Sequence, residues 1–584
     1  MYKDTYEIWL KGVSEAERAE LEAIGHDDNE QKERFSLELA FGTAGMRGEV
    51  GLGTYRMNRY TVKRATAGLA RYVLSIGEEA AARGVVIAYD TRRFSREFAL
   101  NVAEVLTAYK VKAFIFEDVR PVPMCSFAVR ALNAVAGVMI TASHNPKEYN
   151  GYKVYGEDGA QMSPEPTAEV VKYISEITDY FAVDAVDIPM EKFPKGADNL
   201  KINPYVTVIG RSVDEKYFAE IDKLLLSKEI IAKRGSAVKL VYTPVHGAGY
   251  MPVTTMFTRL GIQANVVAEQ AKPDTEFSTV RVPNPENADT LKMGIDLGNK
   301  IGANVVLGTD PDSDRLGVAV RNDKGEFVTL TGNQIGVLLL DYILTKRAEN
   351  GTLPANGAIV KTIVTTTLAD RLAESRGVKV FNVLTGFKFI GEKIKEWEAS
   401  GEYTYLFGFE ESFGSLCGTH ARDKDAVVAS ILFAEMLMYL EDKGSGVYKR
   451  LTEIFREFGY YSENNASVAY KGLSGMSDMA KVMKRMRSLK VDEIGGEKVL
   501  SVTDYLKGVR TFADGSTEPS GLPESDVMYY GLSDGQFVCI RPSGTEPKLK
   551  IYVLVFAKTA DGAAEKSARL MEATKEILNG DQGR

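Results

Sequence analysis

Short apolar runs alternate along the chain with longer segments in which apolar residues recur at helical spacing. The first series has runs at 85–89, 113–116 and 135–140, with helical periodicity at 60–75 and 97–109. Buried strands separated by amphipathic helices are typical of a parallel sheet with crossover helices. This part of the chain therefore predicts an α/β domain, preceded over its first 40 residues by one or two surface helices.

The same series begins again twice. The later runs lie at 240–242, 263–267 and 303–307, and then at 358–364, 378–383 and 403–407, where a helical segment at 334–346 precedes them. In each series a predicted strand runs into a tip rich in Gly or Asp, which indicates three related α/β units. A stretch rich in Pro, Asp and Lys at 184–199 suggests a domain boundary.

The last section of the chain has a different pattern. Strand-like runs at 499–502, 537–540 and 550–556, a loop at 513–523 and a terminal helix at 563–578 predict an α+β domain with mainly antiparallel pairing. We therefore expect an α/β protein with three related α/β domains, built on mixed sheets, and a C-terminal α+β domain around a central cleft. The predicted domains are 1–205, 206–328, 329–443 and 444–584.

Composition and charge exclude several classes of function. The 584 residues are 45% hydrophobic and 26% charged, as in soluble globular proteins, and Asp341 interrupts the longest apolar run, so we expect no membrane span. The start of the chain shows no export signal, and three isolated cysteines offer neither a disulfide framework nor zinc-ligand spacing, which favours the cytoplasm. A net charge of −8 argues against nucleic acid or an anionic membrane as the main partner.

Ser143 follows the apolar run at 135–140, within the hexapeptide Thr-Ala-Ser-His-Asn-Pro at 141–146. Ligands collect at the carboxyl ends of strands in open α/β sheets, so a serine at this position is well placed to react. The Asn-Pro pair, followed by an Asn-Gly pair at 150–151, predicts a loop, which we expect to continue to residue 153. The alternative is that Ser143 and His144 are ordinary loop residues that hydrogen-bond their own backbone.

Asp310, Asp312 and Asp314 occupy alternate positions after the run at 303–307. Alternate residues of an extended or tightly looped backbone point the same way, so the three carboxylates can converge on one hard cation. An EF-hand is excluded because Arg315 and Arg321 stand where its loop requires Gly and Glu. The Asp-x-Asp-x-Thr pattern of aspartyl phosphatases fails too, since Asp314 occupies the Thr position. The alternative is a solvated acidic turn, although three like charges repel unless a cation offsets them.

Other tips carry groups that suit an anionic or hydroxylated ligand. The octapeptide 41–48 reads as a glycine-rich loop with Arg47 as its charge, but it lacks the ending of a nucleotide P-loop. After the run at 403–407, the segment 408–414 offers carboxylates and a serine to sugar hydroxyls, or is simply an exposed acidic loop.

Two further tips lie near the C-terminal section. Segment 541–548 joins an arginine, two hydroxyls and a glycine in a cradle that suits a phosphate dianion, with a proline-bracketed turn as the alternative. Lys388 is either a buried amine with a lowered pKa or the exposed side of a helix start, and spacing alone does not decide.

Four motifs, one in each predicted domain, together resemble those of the α-D-phosphohexomutase superfamily. In chain order they are Thr-Ala-Ser-His-Asn-Pro, Asp-Pro-Asp-Ser-Asp-Arg, Gly-Phe-Glu-Glu-Ser and Arg-Pro-Ser-Gly-Thr-Glu-Pro. The resemblance implies that Ser143 is phosphorylated and that Asp310, Asp312 and Asp314 hold Mg²⁺ together with the serine phosphate. It also implies a proposed general acid/base at Lys388, assisted by His144, and an active-site loop around Arg47. The residues that it implies for substrate binding are Arg315, Thr385, Gly386, Glu410, Ser412, Arg541, Ser543, Gly544 and Thr545.

The wording of the 408–414 segment is similar to the phosphoglucomutase and phosphopentomutase branch and departs from the Gly-Glu-Met-Ser-Gly-His of bifunctional mannose/glucose enzymes. The resemblance therefore implies interconversion of α-D-glucose 1-phosphate and glucose 6-phosphate, with glucose 1,6-bisphosphate as intermediate and activator. Its rivals are a mutase for pentose or mannose phosphates, a phosphatase, and a regulator that binds sugar phosphates without catalysis. Both a monomer and a homodimer are compatible with the sequence.

Overall fold

The computed structural model of the chain describes residues 2–42, 45–470, 475–543 and 548–580. Over these ranges it contains three mixed sheets of seven, five and four strands flanked by helices, followed by a seven-stranded antiparallel sheet. The predicted fold class is therefore confirmed. None of the described helices is both long and apolar enough to cross a membrane.

Three helices precede the first sheet, where the sequence predicted one or two on the surface. They are α1 (Tyr2–Gly12), α2 (Glu15–Ala23) and α3 (Asp28–Phe35). Their apolar faces form a small core around Trp9, which is 1% exposed and packs against Phe35 and Tyr60. The prediction was wrong because polar residues outnumber the few aromatic side chains that fix these helices to the first domain.

The first sheet has seven strands in the order β1-β5-β4-β2-β3-β7-β6. The strands are β1 (Gly45–Glu49), β2 (Val85–Tyr89), β3 (Ala113–Phe116), β4 (Ala136–Ile140), β5 (Tyr149–Gly156), β6 (Leu200–Lys201) and β7 (Val206–Ile209). The helices are α4 (Arg59–Ile76), α5 (Glu78–Arg83), α6 (Ser95–Ala108), α7 (Val122–Ala131) and α8 (Pro164–Ser175), with a 3₁₀ turn at Met190–Lys192.

Three predictions about this domain need correction. The loop after Ser143 does not continue to residue 153, because β5 begins at Tyr149 and pairs antiparallel with β4. The 41–48 segment is partly strand, since β1 pairs with β5, while Thr43 and Ala44 lie outside the described residues. The stretch at 184–199 is a connection within the domain, because β7 pairs in parallel with β3 and carries the first sheet beyond residue 205.

The second sheet has the order β12-β11-β10-β8-β9, and the third has the order β14-β13-β15-β16. The second contains β8 (Leu240–Thr243), β9 (Ala264–Val266), β10 (Val305–Thr309), β11 (Leu316–Arg321) and β12 (Phe327–Thr329), and the third contains β13 (Gly357–Thr362), β14 (Lys379–Val383), β15 (Thr404–Phe409) and β16 (Ser415–Cys417). Their helices are α9 (Arg211–Leu224), α10 (Lys228–Arg234), α11 (Tyr250–Arg259), α12 (Lys292–Ile301), α13 (Gly332–Glu349), α14 (Leu368–Glu374), α15 (Phe387–Ser400), α16 (Ala426–Asp442) and α17 (Val447–Phe458), with 3₁₀ turns at Ala268–Gln270 and Ala288–Leu291.

The fourth sheet has the order β17-β25-β24-β23-β20-β21-β22, and every neighbouring pair is antiparallel, as predicted. Its strands, with a separate hairpin of β18 and β19, are β17 (Tyr460–Ala469), β18 (Glu493–Ile494), β19 (Glu497–Lys498), β20 (Ser501–Asp504), β21 (Val509–Phe512), β22 (Thr517–Pro519), β23 (Met528–Gly531), β24 (Phe537–Pro542) and β25 (Lys548–Ala557). Two helices, α18 (Gly475–Ser488) and α19 (Ala560–Asn579), accompany them, with a 3₁₀ turn at Ser533–Gly535. The predicted loop at 513–523 contains the short edge strand β22.

The first three sheets share one local design. In each, a strand of the parallel core runs into a loop and returns as an antiparallel neighbour: β4 into β5, β10 into β11, and β15 into β16. The three connecting loops are the predicted serine, aspartate and sugar-contact segments. The sheets thus present these loops through the same structural step, which supports the inference of three related units.

Candidate functional site

A cleft of about 1030 Å³ lies where the four sheets meet. This volume is at the upper end of the range of small-molecule sites, so it has room for a sugar phosphate to change orientation. The predicted site residues that line it are Arg47, His144, Arg315, Thr385, Gly386, Glu410, Ser412, Arg541 and Ser543. The cleft therefore collects residues from all four predicted domains.

Ser143 is buried at the start of the serine loop in a left-handed backbone conformation, with φ of +54°. Its N–H donates to Thr141 Oγ1 at 2.8 Å, and Thr141 Oγ1 in turn donates to Asp90 Oδ2 at 2.7 Å. Left-handed conformations are costly for residues other than glycine, so this short network holds a strained turn in place. The network fixes where the Ser143 hydroxyl points.

The Ser143 hydroxyl contacts two groups that the sequence singled out. Its Oγ donates to Asp310 Oδ2 at 3.1 Å and lies 3.1 Å from His144 Nδ1. Burial, together with Arg315 and Arg47, holds the pKa of His144 well below its usual value. His144 is therefore neutral, and its ring has a nitrogen free of a proton to act as an acceptor.

Asp310, Asp312 and Asp314 each offer a carboxylate oxygen, and these oxygens lie within 4.8 Å of one another. All three side chains are buried, and Asp312 Oδ1 and Asp314 Oδ1 have no hydrogen-bond partner among the described residues. Burial and the charges of its two neighbours raise the pKa of Asp310 well above its usual value. Buried oxygen ligands with unsatisfied lone pairs and mutual repulsion suit a hard divalent cation.

Two lysines that the sequence did not single out contact this triad. Lys153 Nζ, on β5, lies 2.9 Å from Asp312 Oδ2, and Lys424 Nζ lies 3.2 Å from Asp314 Oδ2. Although burial alone would raise the pKa of Asp314, Lys424, Lys153 and Arg315 lower it. The lysines therefore keep part of the triad ionised, so that its carboxylates can bind a cation.

The sugar-contact loop joins β15 to β16 and lies against the aspartate loop. Arg315 and Gly414 form a β-bridge, and Leu316 N donates to the carbonyl of Phe413 at 3.0 Å. Glu410 Oε1 accepts the N–H of Gly386 at 3.1 Å, and burial raises the pKa of Glu410 to about 7. The Glu410 carboxyl is therefore both positioned and able to exchange a proton near neutral pH.

The neighbouring Glu411 has a different place. Its Oε2 lies 3.3 Å from Thr362 Oγ1 and 3.4 Å from Thr365 Oγ1, at the end of β13. The second carboxylate of the loop thus anchors the loop to the end of β13, and Glu411 lines the cleft together with Glu410 and Ser412.

Arg541 comes from the fourth sheet and reaches across to the third. Its Nη1 donates to Thr385 Oγ1 at 2.5 Å. Ser543 N donates to the carbonyl of Lys548 at 2.8 Å, which closes the base of the loop. Gly544 and Thr545, also predicted to bind phosphate, lie outside the described residues.

Arg47 and Lys388 differ in their relation to the cleft. Arg47 Nη1 donates to Asn145 Oδ1 at 3.2 Å, beside the serine loop. Lys388 is the second residue of α15, and its Nζ lies 4.9 Å from the centre of the Phe389 ring. Burial lowers the pKa of Lys388, as one sequence alternative expected, but Lys388 is not among the described residues that line the cleft.

Sequence models of one family match most of the chain. Those described as "Phosphoglucomutase/phosphomannomutase, alpha/beta/alpha domain" I, II and III match residues 38–181, 215–325 and 331–458. A protein named phosphoglucomutase from Staphylococcus aureus strain MSSA476 is 36% identical over 96% of this chain and 97% of its own length. The phosphoglucomutase of Staphylococcus epidermidis is 37% identical over 92% and 94%.

Two solved structures share the fold. A putative phosphomannomutase from Thermus thermophilus aligns with a TM-score of 0.66 and 22% identity over 93% of this chain and 99% of that one. The open form of the exocytosis-sensitive phosphoprotein pp63/parafusin from Paramecium aligns with a TM-score of 0.68 and 19% identity over 92% and 94%. The arrangement of sheets is therefore that of known proteins of the same size.

Proposed function

The chain belongs to the phosphoglucomutase/phosphomannomutase family, within the α-D-phosphohexomutase superfamily, and we propose that it is a phosphoglucomutase. It interconverts α-D-glucose 1-phosphate and glucose 6-phosphate through a phosphoserine and glucose 1,6-bisphosphate. The observation that carries this proposal is the 3.1 Å contact between the Ser143 hydroxyl and Asp310. The contact joins a nucleophile to a cation site, which is the pairing that phosphoryl transfer requires.

Ser143 carries the phosphoryl group in the resting enzyme. A sugar hydroxyl attacks the phosphorus, the bond from phosphorus to Ser143 Oγ breaks, and a bisphosphate forms as the hydroxyl proton passes to a base. After the bisphosphate turns round, Ser143 Oγ attacks the other phosphorus, and the sugar oxygen that leaves recovers a proton. Phosphate is neither gained nor lost over the cycle, which distinguishes a mutase from a phosphatase.

Asp310, Asp312 and Asp314 would hold Mg²⁺ together with the Ser143 phosphate. When bound, the cation neutralises charge on the phosphoryl group and polarises it for attack. The unsatisfied oxygens of Asp312 and Asp314 support this assignment, because a hard cation takes carboxylate oxygens as ligands. Lys153 and Lys424 orient these two carboxylates through the Oδ2 atoms and leave the Oδ1 atoms for the cation.

The remaining cleft residues position the sugar and its phosphates. Glu410 and Ser412 bind the sugar hydroxyls, and Arg315, Thr385, Gly386 and Arg47 border the same space. Arg541 and Ser543, with Gly544 and Thr545, bind the phosphate that is not being transferred. The ordered guanidinium of Arg541 supports this role, since arginine offers two parallel donors to a phosphate.

The resemblance implies His144 and Lys388 as proton acceptors, and the geometry favours His144, since Lys388 does not line the cleft. The geometry also adds Lys424 as a cation beside the triad: although burial alone would lower the pKa of Lys424, Asp314 and Asp423 raise it, so its amine stays protonated. The neutral ring of His144 lies beside the reacting hydroxyl, whereas Lys424 lies between Asp314 and Asp423. A general base such as His144 contributes about 10²- to 10⁴-fold to rate. The free, buried cysteines accord with a cytoplasmic enzyme.

A coupled assay tests the proposal. Glucose 1-phosphate with a trace of glucose 1,6-bisphosphate and Mg²⁺ is expected to yield glucose 6-phosphate without release of inorganic phosphate. Ser143→Ala is expected to abolish turnover and to retain binding of glucose 6-phosphate. Faster turnover of ribose 1-phosphate or mannose 1-phosphate than of glucose 1-phosphate would overturn the substrate assignment. Steady release of inorganic phosphate would overturn the assignment as a mutase.

A further inference from the structure

Arg92 lies beneath the serine loop and is 2% exposed. Its Nη2 donates to the carbonyl oxygens of Ser143 at 2.5 Å and Asn145 at 2.6 Å, and its Nη1 donates to those of Pro146 at 2.8 Å and Tyr149 at 3.1 Å. One guanidinium thus satisfies three carbonyls of the serine loop and that of Tyr149, the first residue of β5. A lysine cannot reproduce this planar fork of donors, so the loop conformation is specific to arginine.

The Arg92 guanidinium also contacts a residue of another domain. Its central carbon lies 5.2 Å from the centre of the Phe277 ring, which comes from the second domain. Phe277 is 1% exposed and has a φ of +46°, a strained conformation for an aromatic residue. A second contact, an ion pair of 2.7 Å between Lys147 and Glu276, ties the same two segments at the surface.

The segment 272–280 that presents Phe277 is itself fixed. Both oxygens of Asp274 accept backbone N–H groups, from Glu276 at 3.0 Å and from Ser278 at 2.9 Å. His246 reaches both ends of the segment, since its Nδ1 donates to the carbonyl of Lys272 at 2.9 Å and its Nε2 lies 2.8 Å from Thr279 Oγ1. The Phe277 ring is therefore held by a turn with two anchors.

His246 connects this turn to the aspartate loop. It lies in the Thr-Pro-Val-His-Gly-Ala-Gly segment 243–249, where Ala248 N donates to the carbonyl of Pro311 at 2.8 Å. A Cβ on Gly247 would lie 2.6 Å from Pro311 Cα, so only glycine permits this approach. The contacts run without a gap from the aspartate loop, through His246 and Phe277, to Arg92 and the serine loop.

We infer that Arg92 and Phe277 form a bridge that sets the position of the Ser143 hydroxyl relative to the aspartate triad. The two groups lie on different sheets, so contacts between domains fix their separation. Besides the bridge, Val122 N donates to the carbonyl of Asp312 at 2.9 Å, and Thr141 Oγ1 lies 3.2 Å from Asp312 Oδ2. This inference rests on the proposed function, in which Ser143 takes and gives a phosphoryl group. Arg92 and Phe277 are positioning residues, because the Arg92 guanidinium donates to carbonyls of the serine loop and the buried Phe277 ring packs against that guanidinium.

The bridge acts on transfer and leaves binding largely unchanged. A displacement of about 1 Å in a reacting group costs on the order of 10²-fold in rate, because in-line attack tolerates little misalignment. The sugar and the remote phosphate are held by loops of the third and fourth domains, which the bridge does not contact. Its loss should therefore lower kcat and leave the affinity for glucose 6-phosphate almost unchanged.

The test measures phosphorylation of Ser143 directly. The dephosphorylated full chain is mixed with glucose 1,6-bisphosphate and Mg²⁺, and the gain of one phosphoryl group is followed by intact mass, with Ser143→Ala as the blank. The variants are Arg92→Lys, which keeps the charge, and Phe277→Leu, which keeps apolar volume but removes the ring. Phe327→Leu is the matched control. Like Phe277, Phe327 belongs to the second domain and its ring lies under an arginine, here Arg321 at 4.2 Å, but Phe327 does not line the cleft and does not contact the serine loop.

We expect phosphorylation to slow about tenfold or more in Phe277→Leu and about 100-fold in Arg92→Lys, with the dissociation constant of glucose 6-phosphate within about threefold of wild type. Phe327→Leu should react like wild type. If Arg92→Lys does not fold, Phe277→Leu decides alone. Wild-type rates in Phe277→Leu, or equal losses of phosphorylation and glucose 6-phosphate binding, would overturn the bridge. A wild-type chain that takes up no phosphoryl group would instead overturn the proposed function, and the bridge with it.

Discussion

Lys424 lies 3.2 Å from Asp314, so a side chain from the third domain reaches the acidic triad of the second. It also lies 3.0 Å from Asp423, and both carboxylates are buried. The lysine is therefore held at the boundary between two domains, next to the cation site and close to Glu410. Lys388, by contrast, packs over Phe389 at the start of a helix.

Lys424→Gln should reduce kcat far more than Lys388→Gln. We expect a loss of about 100-fold or more for Lys424, because a fixed positive charge close to the transferred group stabilises the transition state, and less than about threefold for Lys388, which does not line the cleft. Steady-state kinetics on glucose 1-phosphate measures both. The reverse order would restore Lys388 as the proton acceptor and reduce Lys424 to a structural role.

Asp312→Asn should weaken Mg²⁺ binding at least about tenfold, because it removes one of three convergent carboxylates and leaves Lys153 without its closest partner. Calorimetric titration of the chelator-treated protein with Mg²⁺ measures this change. Asp323→Asn, in the exposed hairpin between β11 and β12, provides the control with the same loss of charge. Equal Mg²⁺ affinity in Asp312→Asn and wild type would remove the triad from the cation site.

Arg541→Gln should raise KM for glucose 1-phosphate about 10- to 100-fold with a smaller effect on kcat. A charged hydrogen bond to phosphate contributes about 1.5–3 kcal/mol, and Arg541 is proposed to contact the phosphate that is not being transferred. Arg510→Gln removes an arginine of the same sheet that pairs with Glu518 at 3.0 Å, away from the cleft. A large fall in kcat at unchanged KM would place Arg541 at the reacting phosphate instead.

Glu435 should make stability depend on pH. It lies in α16 and accepts the N–H groups of Leu226 at 2.9 Å and Ser227 at 2.5 Å, and burial raises its pKa to about 7. Between about pH 4.5 and 7 the folded protein keeps a proton that the unfolded chain has lost. This contribution to stability is therefore complete below about pH 4.5 and is lost as pH rises, by at most about 1.4 kcal/mol per pH unit.

Glu435→Gln should flatten that dependence. The midpoint of urea unfolding, measured from pH 5 to 7.5, should fall less steeply with pH in the variant than in wild type. Glu396→Gln is the control, because Glu396 is exposed and pairs only at the surface with Lys393 at 2.7 Å. Parallel curves for Glu435→Gln and wild type would contradict the raised pKa.

The strand ends were predictable because each reactive tip follows an uninterrupted apolar run. Buried parallel strands are recognisable in a sequence as short apolar runs, and the residues directly after them lie at one edge of the sheet. Ser143, Asp310 and Glu410 were found in this way. Their proximity was not derivable from periodicity, because it depends on how three sheets pack together.

The two lysines beside the triad, Lys153 and Lys424, were not predicted, and this too has physical causes. The Asn-Gly pair at 150–151 reads as a turn, but within β5 the glycine is required because a Cβ there would lie 2.5 Å from the carbonyl oxygen of Thr141. This error hid Lys153, which lies on the same strand. Lys424 falls in a run of charged residues that is typical of a solvated surface, and only burial between two domains reveals its role.

The serine, aspartate and sugar-contact loops each close a different sheet. An isolated domain consequently possesses no working catalyst, and a changed sequence in the sugar-contact loop must preserve the backbone bridge between Gly414 and Arg315 of the aspartate loop. Exchange of the β15–β16 hairpin for that of a relative, with this bridge kept, is therefore the natural route to a new sugar preference.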